Sequence, residues 1–425
     1  MTNPFQIQFT LRQHTPMIHF QHHQDGATLR ATEVKPKLDR FLIERMGGGN
    51  YDAGVEYAKS QKWLIGEGSN GNALDYKMRI MAQDAPKASE ISHFPCFFAD
   101  IGLKEDSSES VKKFILHAQP IKLQIICFHA ELKTFIQKHF NDFIAQTNFG
   151  MRQSKGFGSF SVDGQTIDGA VARFTVNGNK QKNCESLFNC IDLFYKSLRG
   201  GVRTYGRDGS EFYFKSLLVT YYHQFTSPKP TLNWDKKAIK QVLEEYKTNI
   251  NGTDIKDLLG FSTTEEWKKW RVSITKRDGR KDEIDVLEKN IKTETNRHEK
   301  DKPKEQKKAL ESALVDRFAS PIVFKPIYNG ENWTVFIFLQ NIPQVYTDTT
   351  VLAKVRNETV SLKMWDSFDL KTFFKSIEKY KKGEVFEHHI ETYYDPEKTK
   401  KSLDDFFEHF HCKSLKTLFS TYQTL

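Results

Sequence analysis

From Phe5 to Leu11 apolar and polar residues alternate without a break, Phe5, Ile7, Phe9 and Leu11 on one side of the pattern and Gln6, Gln8 and Thr10 on the other. A period of two marks a strand with one buried face. The chain therefore opens into a sheet that needs covering on one side. Helical spacing of Val34, Leu38, Phe41 and Leu42 follows, with Thr32 as N-cap, Pro36 near the start and Gly47, Gly48 and Gly49 as terminator. Residues 50–73, rich in Gly, Asn and Ser, read as a long loop, and Tyr76, Met78 and Ile80 alternate as a second strand. Residues 111–128 give a third, with a break near Gln119 and Pro120. Leu132, Phe135, Ile136, Phe140, Phe143 and Ile144 then form one apolar stripe on a second helix, Ala130 to Thr147, before a fourth strand near Phe160 and Val162. Strand, helix, strand, strand, helix, strand is the order of a ferredoxin-like split βαβ unit.

The pattern then restarts. Val171 to Val176 reads as strand, Cys184 to Leu198 as helix and Phe212 to Tyr222 as strand, and the apolar runs from Ile322 and from Val335 read as a hairpin completing a second sheet. Between them, 26 of the 45 positions from 265 to 309 are charged, a mixture that predicts a solvated helical insertion. Phe368, Leu370, Phe373, Phe374 and Ile377, and later Leu403, Phe406, Phe407 and Phe410, predict a helical tail. The expected fold class is α+β: two ferredoxin-like (RRM-like) units, 1–165 and 166–264 with 310–350, a charged helical insertion at 265–309, and a helical region at 351–425. A length of 425 residues suits two such units.

Lys and Arg exceed Asp and Glu by 63 to 54, a surplus that permits a polyanionic partner without requiring one. No stretch reaches the roughly 20 apolar residues of a membrane span, and the N-terminus lacks the basic start and apolar block of a secretory signal. The expected compartment is the cytoplasm, with no membrane partner. Cys96, Cys127, Cys184, Cys190 and Cys412 are odd in number and widely spaced, which fits buried thiols rather than disulfides or a thiolate zinc site. No cofactor and no metal is expected.

Three segments carry candidate chemistry. In the run from Asn148 to Phe160, Gly150, Gly156 and Gly158 let backbone N–H groups approach an anion, Arg152 and Lys155 add cations, and Phe149 or Phe157 offers a stacking face to a base. It lacks a GxxxxGK[ST] pattern and follows a helix, which disfavours a nucleotide P-loop; a purely structural turn is the competing reading. In the run from Gly26 to Arg40, a strand end feeds a basic helix start, so Arg30, Lys35 and Lys37 are candidate phosphate contacts. Arg203 and Arg207, in the glycine-bearing turn from Arg199 to Arg207, are a further pair. His14, His19, His22 and His23 lack the spacing of a metal site.

Three stretches together resemble the RAMP superfamily of CRISPR-associated RNA-binding proteins, above all the large two-unit subunit of Cmr (type III-B) effector complexes. They are Thr15-Pro16 followed by Arg30, Thr32 and Lys35; Gly156-Phe157-Gly158; and Arg317 to Ile322. The resemblance implies a non-catalytic RNA-binding subunit that contacts guide RNA, target RNA or both and joins other CRISPR effector subunits in antiviral defence. It also implies an alternative, a metal-independent endoribonuclease in which His14 or His19 is the general base acting on a ribose 2′-hydroxyl. The position of the glycine-rich loop, with more than half the chain after it, favours the first.

Overall fold

The structure, a computed structural model, describes residues 3–18, 28–65, 72–84, 87–90, 113–178, 184–206, 209–225, 233–234, 239, 251–267, 272–293, 306–307, 317–342, 346, 349–355, 358–392, 407 and 412–425. It is a mixed α+β chain of two compact units. The first holds 1–97, 102–191 and 323–338; the second holds 98–101, 192–322 and 339–425.

In the first unit the alternating start becomes strand β1 (Gln6–Gln13), continued after a short break by β2 (Met17–Ile18). Helix α1 (Ala31–Met46) and helix α2 (Tyr51–Ser60) follow. The loop expected across 50–73 is therefore partly helical. Its N-cap is Asn50, whose side chain accepts from the Ala53 amide at 3.0 Å. Strands β3 (Lys77–Met81), β4 (Lys87–Glu90), β5 (Lys113–Leu116) and β6 (Ile121–Ile126) lead into helix α3 (Ala130–Gln146) and strand β7 (Phe160–Val162). The main sheet has the order β3-β6-β1-β7 with every neighbouring pair antiparallel. Register puts Ile7 opposite Ile125, Phe9 opposite Leu123 and Leu11 opposite Ile121. This is the apolar face, and α1 and α3 cover it: Val34, Leu38 and Leu42 from one helix and Ile136, Phe140 and Phe143 from the other join a single core. Phe9 stacks on Phe140 with centroids 3.8 Å apart. β2, β5 and β4 form a separate three-stranded sheet.

Strand β8 (Ala172–Asn177) pairs antiparallel with Asn332–Leu339, itself paired with Ile322–Tyr328. Helix α4 (Glu185–Arg199) carries the chain across the boundary between units.

The second unit departs furthest from the expectation. The segment read as a charged helical insertion supplies two strands, Thr264–Trp267 and Val272–Asp278, to a six-stranded sheet, and among its described residues Arg280–Thr293 is helix. Thr350–Val355 and Glu358–Met364, in the region expected to be a helical tail, are strands of the same sheet. Of the stretch read as strand from Phe212 to Tyr222, only Glu211–Phe214 is extended, and Leu217–Phe225 is helix. Two charges of this stretch, Glu265 and Lys276, are internally matched rather than solvated. Buried Lys276 donates to Asp257 and to Glu265, Lys256 pairs with Glu265, and Arg199 reaches Asp257 at 3.0 Å. Burial alone would raise the Asp257 carboxyl, but Lys276, Arg199 and Lys256 outweigh it and hold Asp257 well below the usual carboxylate range. Burial of Glu265 is likewise outweighed, by Lys256 and Lys276, which bring it down to about 2.

A second polar feature lies in the same unit. Buried His389 donates from Nε2 to the Lys215 carbonyl at 2.9 Å, and the Tyr380 hydroxyl faces its Nδ1. Burial, reinforced by the charges of Lys215 and Lys379, brings its pKa down to about 4. Between that value and the usual one near 6.5 the unfolded chain binds the extra proton. The contribution to stability is therefore complete above pH 6.5 and is lost as pH falls toward 4, at no more than about 1.4 kcal/mol per pH unit. Urea unfolding measured across this range is expected to show the decline. His389→Gln, which keeps a donor for the carbonyl, should flatten it; an unchanged slope would mean that another group sets the pH dependence.

Among the described residues, no helix is long and apolar enough to cross a membrane. Cys127, Cys184, Cys190 and Cys412 are buried, and Cys96 lies outside the described residues.

Candidate functional site

The two segments singled out in the first unit meet. Gly158 N–H donates to the Pro16 carbonyl at 2.8 Å, and His14 N–H to the Ser159 carbonyl at 2.8 Å. The Thr15 hydroxyl donates to the Gly156 carbonyl at 2.6 Å and accepts from the Ser159 amide at 2.9 Å. Met151 N–H reaches the Ile18 carbonyl at 2.9 Å. The Thr15-Pro16 step and the Gly156-Phe157-Gly158 run, some 140 residues apart in sequence, are thus one hydrogen-bonded junction at the end of β1.

Within it the glycines answer to steric need. Gly158 has φ +64°, and a Cβ there would stand 1.9 Å from the Phe149 carbonyl oxygen. At Gly150, with φ +82°, a Cβ would meet the Ile18 carbonyl oxygen at 2.6 Å. At Gly156, with φ +88°, it would press on Pro326. The Gly150 amide does hold an anion, but that anion is the carboxylate of Glu33, 2.6 Å away on the first turn of α1.

Several candidate contacts are likewise committed to the fold. Phe157, expected to offer its ring to a base, is buried and stacked on Phe188 at 4.0 Å, and Phe149 is also in the core. Lys155 is buried. Lys35 donates to Asp39 at 2.7 Å and to the Leu74 carbonyl at 2.9 Å, with its ammonium over the Tyr76 ring. Lys37 donates to Glu33, to the Gln153 side chain and to the Asn148 carbonyl at 3.0, 2.9 and 3.3 Å, latching α1 onto the glycine loop. Lys35 and Lys37, read as phosphate contacts, thus donate to internal acceptors, and Lys155 is taken out of reach by burial. Two cations of the junction keep access to solvent: Arg30, exposed at the N-cap of α1, and Arg152, half-buried in a left-handed conformation with φ 58° ahead of the turn Gln153–Lys155. In the second unit Arg203 pairs with Glu211 at 2.8 Å; Arg207 lies outside the described residues.

His14 is buried with both ring nitrogens engaged. The Tyr328 amide donates to Nδ1 at 3.1 Å, which makes Nε2 the protonated nitrogen, and Nε2 donates to Ser161 Oγ at 2.8 Å. A general base needs a free lone pair aimed at substrate, and in this arrangement His14 presents none. His19, His22 and His23 lie outside the described residues, and no group of three or more metal-binding side chains occurs among the described ones.

Other polar residues of this region carry no motif and are invisible to sequence reasoning. His117, buried, accepts or donates at Nε2 with the Thr28 hydroxyl at 2.7 Å and at Nδ1 with Asp84 at 2.9 Å, and its backbone N–H donates to Gln13 Oε1 at 2.9 Å. Asn148 donates to the Gln153 and Phe324 carbonyls. Lys325 is fully buried, donates to the Thr147 carbonyl at 2.7 Å, and burial drives its ammonium well below the usual lysine range. Apart from the Asn148–Gln153 contact, their partners lie 33 to 178 residues away, which is what hides them.

Comparison with known families decides the assignment. Residues 5–202 match the model of the Cmr1 N-terminal domain, and residues 213–417 match that of the Cmr1 C-terminal domain. The chain belongs to the Cmr1 family. Family membership makes it a Cmr-type subunit of the RAMP superfamily and supports a place in a type III-B CRISPR effector complex, hence a partnership with other subunits. Among solved structures it is similar to the apo crystal structure of Cmr1 from Pyrococcus furiosus, with 11% identity over 80% of this chain and 90% of that one and a TM-score of 0.29. A superposition that loose carries no argument about the fold, and the assignment to Cmr1 rests on the two family matches. No curated protein matches the chain.

Proposed function

We propose that this Cmr1-family chain is a non-catalytic RNA-binding subunit of a type III-B effector ribonucleoprotein, contacting the backbone of guide RNA, target RNA or both in antiviral defence in the cytoplasm. The first unit, with antiparallel order β3-β6-β1-β7 and two helices on one face, is read as ferredoxin-like. The observation that carries the RNA reading is the junction itself. The loop, closed against the Thr15-Pro16 step, is bonded through Gly150 and Gln153, on either side of Arg152, to Glu33 and Lys37 of α1, whose exposed N-cap residue is Arg30 and whose terminal amides favour a phosphate. Arg203, which also pairs with Glu211, is the candidate contact in the second unit. The locked imidazole of His14 argues for binding rather than cleavage.

Single-stranded RNA binding by the full chain, titrated over a range of salt, tests this. Arg30→Ala with Arg152→Ala is expected to weaken binding and to reduce the slope of log K against log salt by about 1.4, two phosphate contacts' worth. An unaltered slope would remove both arginines from the interface.

A further inference from the structure

α1 and α3 cover one face of the main sheet of the first unit, and the other face carries a different set of side chains. By register, Lys77, Ile126 and Gln6 form one cross-strand row; Arg79, Gln124 and Gln8 a second; Met81, Lys122 and Thr10 a third. Lys77, Arg79, Lys122 and Gln8 are exposed, and Gln124 donates to Gln8 across the middle row at 3.4 Å. The outward positions of these three strands hold no acidic residue. Further along β1, Arg12 is held by Asp163 at 3.0 Å and is left out of the count. At the opposite end, next to Ile126, two rings stand in solvent. Phe128 is 70% exposed and Phe5 44%, their centroids 5.1 Å apart. The Cys127 amide donates to the Phe5 carbonyl at 3.0 Å, so the backbone at Phe5 continues the pairing of β1 with β6 at this end of the sheet, and its ring turns out of the apolar row of Ile7, Phe9 and Leu11 to meet Phe128.

We propose that this face is a second RNA-binding surface, which takes an unpaired RNA segment with its phosphates along Lys77, Arg79 and Lys122 and a base against Phe128 and Phe5. The proposal rests on the reading of the chain as an RNA-binding subunit and adds a site that the glycine-loop junction does not include. Three properties select unpaired RNA. The outward positions of β1, β3 and β6 hold no carboxylate, and the carboxylates flanking them, Asp163 and Asp75, are engaged by Arg12 and His129, so the field of Lys77, Arg79 and Lys122 attracts a polyanion. Lysine is depleted from protein interfaces relative to the rest of the surface, whereas here the rows on either side of the middle one each carry a lysine, Lys77 and Lys122. A ring pair open to solvent can stack only on bases that are not already stacked within a duplex, and a four-stranded sheet offers room for about two or three such bases. The paired glutamines, in the row of Arg79 and between the rows of Lys77 and Lys122, supply donors and acceptors for base edges.

The test uses the full chain and a labelled oligouridylate, single-stranded or annealed to its complement, titrated at several salt concentrations. Phe128→Ala is expected to weaken single-strand binding about tenfold. Lys77→Ala, Arg79→Ala and Lys122→Ala combined should lower the salt slope by about 2. Both variants should keep the parent melting temperature because the side chains are exposed, and 4-thiouridine in the oligonucleotide should crosslink to the peptide containing Phe128. Unchanged affinity and slope in both variants overturn the inference. If Arg30→Ala with Arg152→Ala loses affinity while the sheet variants do not, the second surface fails and the proposed function stands; if the parent chain binds no RNA, both fail. Sheet variants that keep RNA affinity but no longer co-purify with neighbouring effector subunits would make the face a protein interface, which also overturns the inference.

Discussion

Lys276→Met is expected to destabilise the second unit by about 3–5 kcal/mol, the usual consequence of removing one partner from a buried ion pair. The ammonium of Lys276 faces both Asp257 and Glu265, and all but 1% of its side chain is inaccessible to solvent. Without it Asp257 keeps Arg199 and Glu265 keeps Lys256, but buried Asp257 and half-buried Glu265 remain with less positive charge to offset them. The Lys59–Glu56 pair on α2 is the contrast: both side chains are more than half exposed, and Lys59→Met should leave the urea midpoint where it was. Equal, small effects of the two substitutions would show that the cluster in the second unit is not an anchor.

Gly158→Ala is expected to cost on the order of 4 kcal/mol, combining a left-handed backbone with a methyl group forced into a packed junction. The contact that forbids the methyl is backbone, the Phe149 carbonyl oxygen at 1.9 Å, so no rotamer change relieves it. The amides of Phe149 and Gly158 also take part in the closure, through the Gly158 and Pro16 carbonyls. Relief would have to separate the loop from β1. Gly164→Ala provides the comparison, since φ there is +74° but nothing stands within 4 Å of the added carbon. Calorimetry of the two variants should give a clearly larger loss for Gly158→Ala; similar losses would mean that backbone conformation, not the close approach, sets the need for glycine.

Sequence legibility followed hydropathy. β1, α1, β6 and α3 were readable because each buries apolar residues at the period of its own secondary structure, whereas α2, in a stretch read as loop, and the short strands β2 and β4 were not. Val272–Asp278 was not, although its burial also alternates, because two of its inward positions are Lys276 and Asp278. A buried charge matched by another buried charge looks in sequence like a solvated one. Thr350–Val355 and Glu358–Met364 alternate plainly, but the helix-spaced phenylalanines that follow drew the whole C-terminal region toward a helical reading. At the candidate site, sequence located the two segments that meet but could not assign their side chains. Gly156-Phe157-Gly158 reads equally well as a cradle for phosphate and as a tight packing turn, and only the position of Phe188 and Glu33 separates the ring and the amide from a ligand role.

The first unit is not complete in the order in which it is synthesised. Residues 323–338, which pair with β8 and bring Phe324, Lys325 and Tyr328 to Asn148, Thr147 and His14, emerge roughly 130 residues after the rest of that unit ends at Ile191. At ordinary translation rates this is a delay of about ten seconds. During it the glycine-loop junction lacks the strand that supplies the Tyr328 amide to His14 and the Phe324 carbonyl to Asn148, so the junction matures only once residues 192–322 of the second unit have been synthesised.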